Sequence, residues 1–525
     1  MGQVIGIDFG TTTTEVSYIK DGVALSLKLE EGEYYIPTVI FFLSEDEYII
    51  GKKADVLSRN QDYSCSVIRN FKLDLTNKSV IYRIKAKDGS EFTVKPQKAA
   101  QLFLNKLLQI IQPKLIAIFG EEDGVIDKAV ITVPAQFNPA EKEAIKIAIT
   151  KAAKNSGFND IKVAAEPTAA AVAFSDYETL NEGQTILVYD FGGGTFDVSI
   201  IKQGKDKFEE IETDGDKALG GNLLTEKIAE CLWDDYCEQL SIPYLPFDEE
   251  DARTYSEEDY GLPKEMYYCN RAEIISAAEA MKIDFTNNDD IASEIVDVFD
   301  MSGNSVNIEL ELSYKDFCKI VSRTIDKTIS IAESVVNRTN QNIDYFVLAG
   351  GSSRIRSIKE KIEKSSVLKN LRCIEDDDSQ MMISRGAAIL AKSKLSTDEK
   401  TRFELGISVR DGADYNVFMP IIKSGEKLPC KGKMRFPIDK RESIRVCYYE
   451  KDIKKYPNAK RVYDDGIELV SELEIETPNI ENAELDVTFN IENDGTPVIS
   501  AEIVDKMNKV ISSEKLIIKK DGELW

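Results

Sequence analysis

A chain of 525 residues with 42% hydrophobic and 30% charged residues has the balance of a folded globular protein, and its length suggests about three to four domain-sized units. The net charge of −26 argues against nucleic acid or an anionic membrane as the main partner, because both demand clustered Lys and Arg, and no stretch reads as a transmembrane helix. The sequence has no histidine, which removes Ser-His-Asp triads, Cys-His dyads and His-ligated zinc; catalysis must rest on carboxylates, lysine, hydroxyls, backbone amides and an oxygen-held cation. Eight scattered cysteines, none in a Cys-x-x-Cys pair, and an N-terminus that enters a strand almost at once predict a reduced, cytoplasmic protein.

In chain order, a short apolar strand over 3–7 ends at Asp8, and a second strand over 16–19 follows the turn Gly10-Thr11-Thr12-Thr13. A helix over 102–111, a buried strand over 129–133 and a helix over 139–156 come next, the last with Pro139 at its start and Gly157 at its end. The strand–turn–strand pattern then recurs at 186–189 and 198–201, around Asp190 and Gly192-Gly193-Gly194-Thr195. Helices are expected over 223–236 and 271–281, and the acidic stretch 241–268 between them reads as a surface loop or insertion. A long helix over 317–337, a buried strand over 345–348, the turn 349–352 and a helix over 386–395 complete this part. Residues 396–401 read as a charged hinge, after which alternating segments such as 485–491, with the turn 493–495, predict an antiparallel β-sandwich over 403–518.

The two loops match in register, 182 residues apart: Asp-Phe-Gly, a threonine, an acid and Val-Ser begin at Asp8 and again at Asp190. A phosphate chain needs backbone N–H groups that come close, which glycine permits, and small hydroxyls that add donors. An aspartate at each strand end suits Mg²⁺ held through water. Two such loops predict a duplicated fold closing on one phosphate chain from both sides. Gly350-Gly351-Ser352-Ser353-Arg354, between a strand and a helix, suits a nucleoside or phosphate, and Gly220-Gly221 is a weaker candidate.

These segments, together with Ile131-Thr132-Val133-Pro134 and Glu166-Pro167-Thr168-Ala169-Ala170-Ala171, resemble the DnaK-type seventy-kilodalton heat-shock chaperone family, within the actin/sugar-kinase ATPase superfamily. The resemblance covers nearly the whole chain and is looser in the sandwich. It implies an α/β fold: a duplicated actin-like (ribonuclease H-like) two-lobed ATPase domain over 1–395, a linker over 396–402 and a β-sandwich substrate-binding domain over 403–525. It further implies hydrolysis of ATP to ADP and phosphate with Mg²⁺, binding of unfolded or extended polypeptide segments, a J-domain co-chaperone and a nucleotide-exchange factor.

The resemblance places Asp8 and Asp190 around Mg²⁺ and water, with Glu166 in the same shell, and Thr13 and Thr195 at the phosphate or attacking water. Gly10, Thr11, Thr12, Gly192, Gly193, Gly194, Gly220, Gly221, Gly350, Gly351, Ser352 and Arg354 would cradle the nucleotide, with Glu279, Lys282 and Thr286 on the adenosine side. The catalytic lysine falls within 67–72: Lys72, preceded by an aromatic, is the expected residue, whereas a gap-free count from Pro37 favours Arg69. Peptide contacts map to Leu405, Ile407, Phe436, Ile444 and Val446, which equally fit a sandwich core, and Arg410 stands where the family's arch has methionine.

Three departures alter these expectations. The linker is charged instead of apolar, which puts ATP-driven peptide release in question. The helical lid is missing, so peptide exchange should be fast. Gln380 and Arg385 replace an acidic and an aromatic residue. A nucleotide-switched assembly factor for one partner and a small-molecule kinase of the superfamily are the competing readings.

Overall fold

The computed structural model describes residues 2–58, 65–77, 79–178, 180–242, 245–247, 255–287, 289–374, 379–393, 395–398, 400–411, 414–438, 443–454, 456–477, 483–491, 497–505 and 507–517. Two six-stranded sheets dominate the first three-quarters of the chain, and they repeat one topology. In the first, Asp160–Ala165, Ile126–Val133 and Gln3–Phe9 run parallel, and Thr13–Lys20 and Val23–Ser26 continue antiparallel. In the second, Cys373–Ile374, Tyr345–Ala349 and Thr185–Phe191 run parallel, and Phe196–Gln203 and Lys207–Asp216 continue antiparallel. The repeat read from the two loops is therefore a repeat of whole sheets.

The central strands are apolar on both faces because helices cover both sides. The helix Met382–Lys392 packs against Gln3–Phe9 and against the helix Glu166–Tyr177. Glycine makes this crossing possible: a Cβ on Gly386 would lie 1.8 Å from the Ala169 carbonyl oxygen, and one on Gly6 would lie 2.1 Å from the Ala388 nitrogen. The helix Pro139–Asn155 begins with a reciprocal capping box, in which Asn138 Oδ1 accepts from the Glu141 N–H and Glu141 Oε2 from the Asn138 N–H.

Several expectations need correction. The helix expected over 386–395 starts earlier and stops at Lys392, and the one expected over 271–281 spans Lys264–Asp284. Part of the stretch read as a surface loop is therefore helical, and it is packed: Leu245, Tyr255 and Tyr267 are buried, with the two tyrosine rings stacked 3.8 Å apart. Aromatic packing without a regular period left no sequence signal there. Against expectation, the helix Pro96–Phe119 is long and apolar enough to cross a membrane by length and composition. Here Phe103, Leu104, Leu107, Leu108 and Ile111 are fully buried in the core against the first sheet.

The largest correction concerns the hinge. Ser396–Asp398 is a strand, pairing parallel with Lys207–Glu209 at the edge of the second sheet. Backbone hydrogen bonding needs no apolar side chains, so a charged segment can still add a strand.

Beyond it lie two four-stranded antiparallel sheets. One is ordered Asp414–Ile422, Glu404–Asp411, Ser443–Lys451, Ile467–Glu476, and the other Cys430–Pro437, Glu484–Ile491, Pro497–Val504, Val510–Ile517. Their facing side chains, among them Tyr448, Val487, Phe489 and Ile499, form one core, which Ala140 of the Pro139–Asn155 helix also joins. The turn expected at 493–495 lies outside the described residues.

Candidate active site

Asp8 and Asp190 end the equivalent central strands of the two sheets, and the loops that follow them meet face to face. A Cβ on Gly193 would fall 2.1 Å from Thr12 Oγ1, and one on Gly194 would fall 2.5 Å from Thr11 Oγ1. Only glycine lets the second loop come this close. The Thr12 hydroxyl crosses between halves, donating to Asn222 Oδ1 at 3.0 Å. The first loop is braced by Thr38, whose N–H donates to the Thr12 carbonyl at 2.8 Å and whose hydroxyl donates to the Gly10 carbonyl at 3.0 Å. Thr13 opens the strand Thr13–Lys20, and Thr195 is buried, its carbonyl accepting the Gly192 N–H at 3.1 Å.

Lys72 reaches this point from a turn. Asn70 adopts φ 55°, one of the left-handed conformations asparagine tolerates, and the reversal sends Phe71 into the core beside Phe9 and Phe103. Lys72 then points inward. Its ammonium, only 2% exposed, donates to Glu166 Oε1 at 2.9 Å and to the Phe9 carbonyl, and lies 5.5 Å from the centre of the Phe137 ring. Arg69 turns away, pairing with Asp55 at 2.7 Å. The structure thus brings Lys72, not Arg69, to the loops. Glu166 opens its helix, where the helix dipole favours a carboxylate.

The second half adds three pieces. Gly221 N–H and Asn222 N–H donate to the Gly192 and Gly193 carbonyls, so the weak Gly220-Gly221 candidate packs directly on the second loop. Gly350 has φ 77°, and a Cβ there would lie 2.6 Å from Asp190 Oδ1, a second reason for glycine. Ser352 is buried and donates to the Gly192 carbonyl at 3.1 Å, while Gly351 and Arg354 stay exposed beside it. Of the residues expected on the adenosine side, Lys282 donates to Glu279 Oε2 at 2.6 Å, to Thr225 Oγ1 at 2.9 Å and to the Gly221 carbonyl at 3.2 Å. Thr286 instead donates to the Ile283 carbonyl of the helix it follows.

Buried acids dominate the electrostatics. Burial pushes Asp8 up to about 7, with Glu166 raising it further, and Lys72 and a 2.9 Å bond from Thr132 Oγ1 pulling it down. Burial also pushes Asp197 up to about 7, against the Arg402 charge and the Gln136 N–H. Asp190 stands well above the ordinary carboxylate range, first from burial and then from Glu166, Asp197 and Asp8. Acids that ionise so reluctantly around one lysine fit a site that takes up further positive charge. Among the described residues no three His, Cys, Asp or Glu side chains converge as a direct ligand set, so the residues suit a cation held through its own water.

A pH prediction follows from the signs. Each raised acid holds its proton more firmly folded than unfolded, so the stability it contributes is full below about pH 4 and is lost as pH rises through about 7. In EDTA, the melting temperature should fall between about pH 5 and about pH 7 and level off above that, and Asp197→Asn should flatten that fall. Calorimetry across that range checks it; an unchanged slope in the variant contradicts it.

Sequence reasoning missed Asp197 and Glu15 as buried charges, although both are the matched acid of the repeated loops. Each sits opposite a site aspartate, Glu15 across from Asp8 and Asp197 across from Asp190. Glu15 is also held well above the ordinary range, by burial and then Asp8, and is eased by a bond from Gln380 and by the Arg385 charge. The two departures at 380 and 385 therefore have a local reason: they serve a buried acid.

In the two-sheet unit, Leu405, Ile407 and Val446 lie within the shared core, and only Phe436 and Ile444 of the five expected peptide contacts keep accessible surface. Arg410 belongs to the strand Glu404–Asp411, but its side chain lies outside the described residues.

Comparison with known proteins adds an independent line. The family model described as Hsp70 protein matches residues 4–523. Curated proteins named "Chaperone protein DnaK" from Thermotoga neapolitana, Thermotoga petrophila and Thermotoga maritima are each 27% identical to this chain over 519 residues, covering 95% of it and 78% of their own length.

Proposed function

Because the chain belongs to the Hsp70 family, whose members are ATPases, we propose that it is an ATP-dependent molecular chaperone hydrolysing ATP to ADP and phosphate. The observation that carries this reading is the buried Lys72 ammonium, fixed by Glu166 and the Phe9 carbonyl between two loops that open with Asp8 and Asp190. In this reading residues 1–395 form the two-lobed ATPase domain, 396–402 the linker, and 403–525 a β-sandwich that binds unfolded or extended polypeptide. A J-domain co-chaperone and an exchange factor are the expected partners, and the cytoplasm the expected compartment.

The two loops receive the phosphate chain from opposite lobes, so binding requires them to part and hydrolysis requires them to close. Water attacks the γ-phosphorus as the bond to the bridging oxygen breaks. Lys72 stabilises the charge gathering on the phosphoryl oxygens and orients the water. Glu166 holds Lys72 in place, and Thr13 and Thr195 supply hydroxyls to the phosphate or water. Mg²⁺, when bound beside Asp8 and Asp190, neutralises phosphate charge. Glu279 and Lys282, already ordered by Thr225, meet the ribose side.

A second reading is a nucleotide-switched assembly factor for one partner. The enclosure of Leu405, Ile407 and Val446 favours it, because among the described residues these three offer no open apolar surface to general clients. Equilibrium ATP binding and single-turnover hydrolysis, with Asp190→Ala alongside, test the ATPase. Binding of a library of unstructured apolar peptides, with and without ATP, separates the readings. Broad ATP-sensitive binding supports the chaperone, no peptide binding despite turnover favours the assembly factor, and absence of ATP binding sinks both.

A further inference from the structure

The repeated loops place a buried acid opposite each site aspartate, and the charge of one arginine eases each of these acids. For Glu15 that cation is Arg385, on a helix packed against the first sheet. For Asp197 it is Arg402, which arrives from outside the second sheet, just after the strand Ser396–Asp398. Arg402 Nη2 donates to Thr213 Oγ1 at 2.9 Å and pairs with Glu210 Oε2 at 3.2 Å. Both partners lie on the edge strand Lys207–Asp216, and the pair is enclosed, Arg402 at 13% exposure and Glu210 at 5%. Arg402 Nη1 and Asp197 Oδ2 are both buried with no hydrogen-bond partner. No direct ion pair joins the two; the Arg402 charge eases the buried Asp197 carboxylate from farther off, and the contacts that hold Arg402 are those to Glu210 and Thr213.

The same edge strand takes further contacts from the two-sheet unit and the segment before it. Lys427 pairs with Glu209, Lys454 donates to Glu212 at 3.0 Å and to the Thr213 carbonyl at 2.7 Å, and Lys400 donates to the Ile211 carbonyl at 3.1 Å. The seam is thus charged where an apolar linker would have packed. From it, a short path leads to the reacting groups. Asp197 Oδ1 accepts the Gln136 N–H at 2.9 Å; the next residue, Phe137, presents its ring to Lys72; and Phe137 and Arg402 line one cavity of about 30 Å³.

We propose that Arg402 is a positioning residue for ATP hydrolysis: it seats the two-sheet unit on the acidic edge strand and, through Asp197 and the Gln136–Phe137 turn, sets the place of Lys72. This rests on the ATPase reading above. The charged linker then couples the domains by ion pairing and strand addition in place of apolar packing.

The test uses the full chain with Mg²⁺ and ATP, reading steady-state kinetics and hydrogen exchange together. Arg402→Ala should lower kcat about tenfold with KM for ATP held within about twofold, the signature of lost transition-state placement. Amides of Ser396–Asp398 should exchange about tenfold faster, while those of Gln3–Phe9 and Thr185–Phe191 stay protected. Arg402→Lys should recover part of kcat, and Lys427→Ala, whose side chain is 53% exposed, should change little. If Arg402→Ala does not fold, Glu210→Gln must show the same kcat loss. Unchanged kcat in Arg402→Ala, or loosening spread equally through the central strands, overturns the proposal. Wild-type chain without any turnover brings down the ATPase reading and this proposal with it, whereas turnover indifferent to Arg402 overturns this proposal alone.

Discussion

Lys72→Ala is expected to lower single-turnover ATP hydrolysis by about 10²–10³-fold while ATP affinity changes only a few-fold. The ammonium is a single preorganised cation in a buried site, so its removal takes away charge stabilisation that water cannot replace. It also leaves Glu166 without its 2.9 Å partner among Asp8, Asp190 and Asp197. Most of the nucleotide's other contacts in this reading, from Glu279, Lys282 and the glycine turns, are untouched, which is why binding should survive. Arg69→Ala is the matched control: its partner is Asp55, away from the loops, and it should behave like wild type. Quench kinetics with titration calorimetry on both variants decide the matter. Equal loss in both, or neither, would remove Lys72 from its assigned role.

Gly386→Ala should destabilise the fold by about 3 kcal/mol, at the upper end of the usual overpacking range. The added methyl would lie 1.8 Å from a backbone oxygen, Ala169 O, which cannot rotate away as a side-chain end could. The helix Met382–Lys392 must then move off Glu166–Tyr177, and both helices matter to the site: one begins with Glu166, and the other carries Ser384 bonded to Ser17 at 2.8 Å and Arg385 near Glu15. Gly157→Ala, at a helix end with open space around it and φ 88° in a left-handed cap, carries only the backbone cost of about 1 kcal/mol. Denaturant melts of the two variants should therefore differ clearly. Similar midpoints would show that the crossing relaxes easily and that glycine there is not required.

The loops proposed to hold the nucleotide were readable because their parts are local. An Asp-Phe-Gly run after an apolar strand states both the element and its end, and its repetition 182 residues later states the duplication before any sheet is seen. The strands expected over 3–7, 129–133 and 186–189 lie inside the longer Gln3–Phe9, Ile126–Val133 and Thr185–Phe191; short apolar runs revealed them, since strands covered on both faces need such runs. The choice of Lys72 over Arg69 rested in the sequence only on the aromatic before it, because which side chain faces inward turns on the left-handed conformation at Asn70. The resemblance named Glu279 and Lys282 for the adenosine side, but their shared partner, Thr225, comes from a helix 54 residues away from Glu279.

The sequence by itself determined the duplicated halves, the matched Asp-Phe-Gly loops, the carboxylates at the strand ends and the all-β C-terminal part, because each is written in contiguous residues whose spacing matches one secondary-structure period. Only the tertiary structure decided that the charged hinge is an edge strand, that Glu15 and Asp197 are buried acids each served by a distant arginine, and that Leu405, Ile407 and Val446 face inward. Those outcomes depend on desolvation and on long-range pairing: a charge run looks solvated until a partner strand covers it, and an acid's burial is set by residues hundreds of positions away.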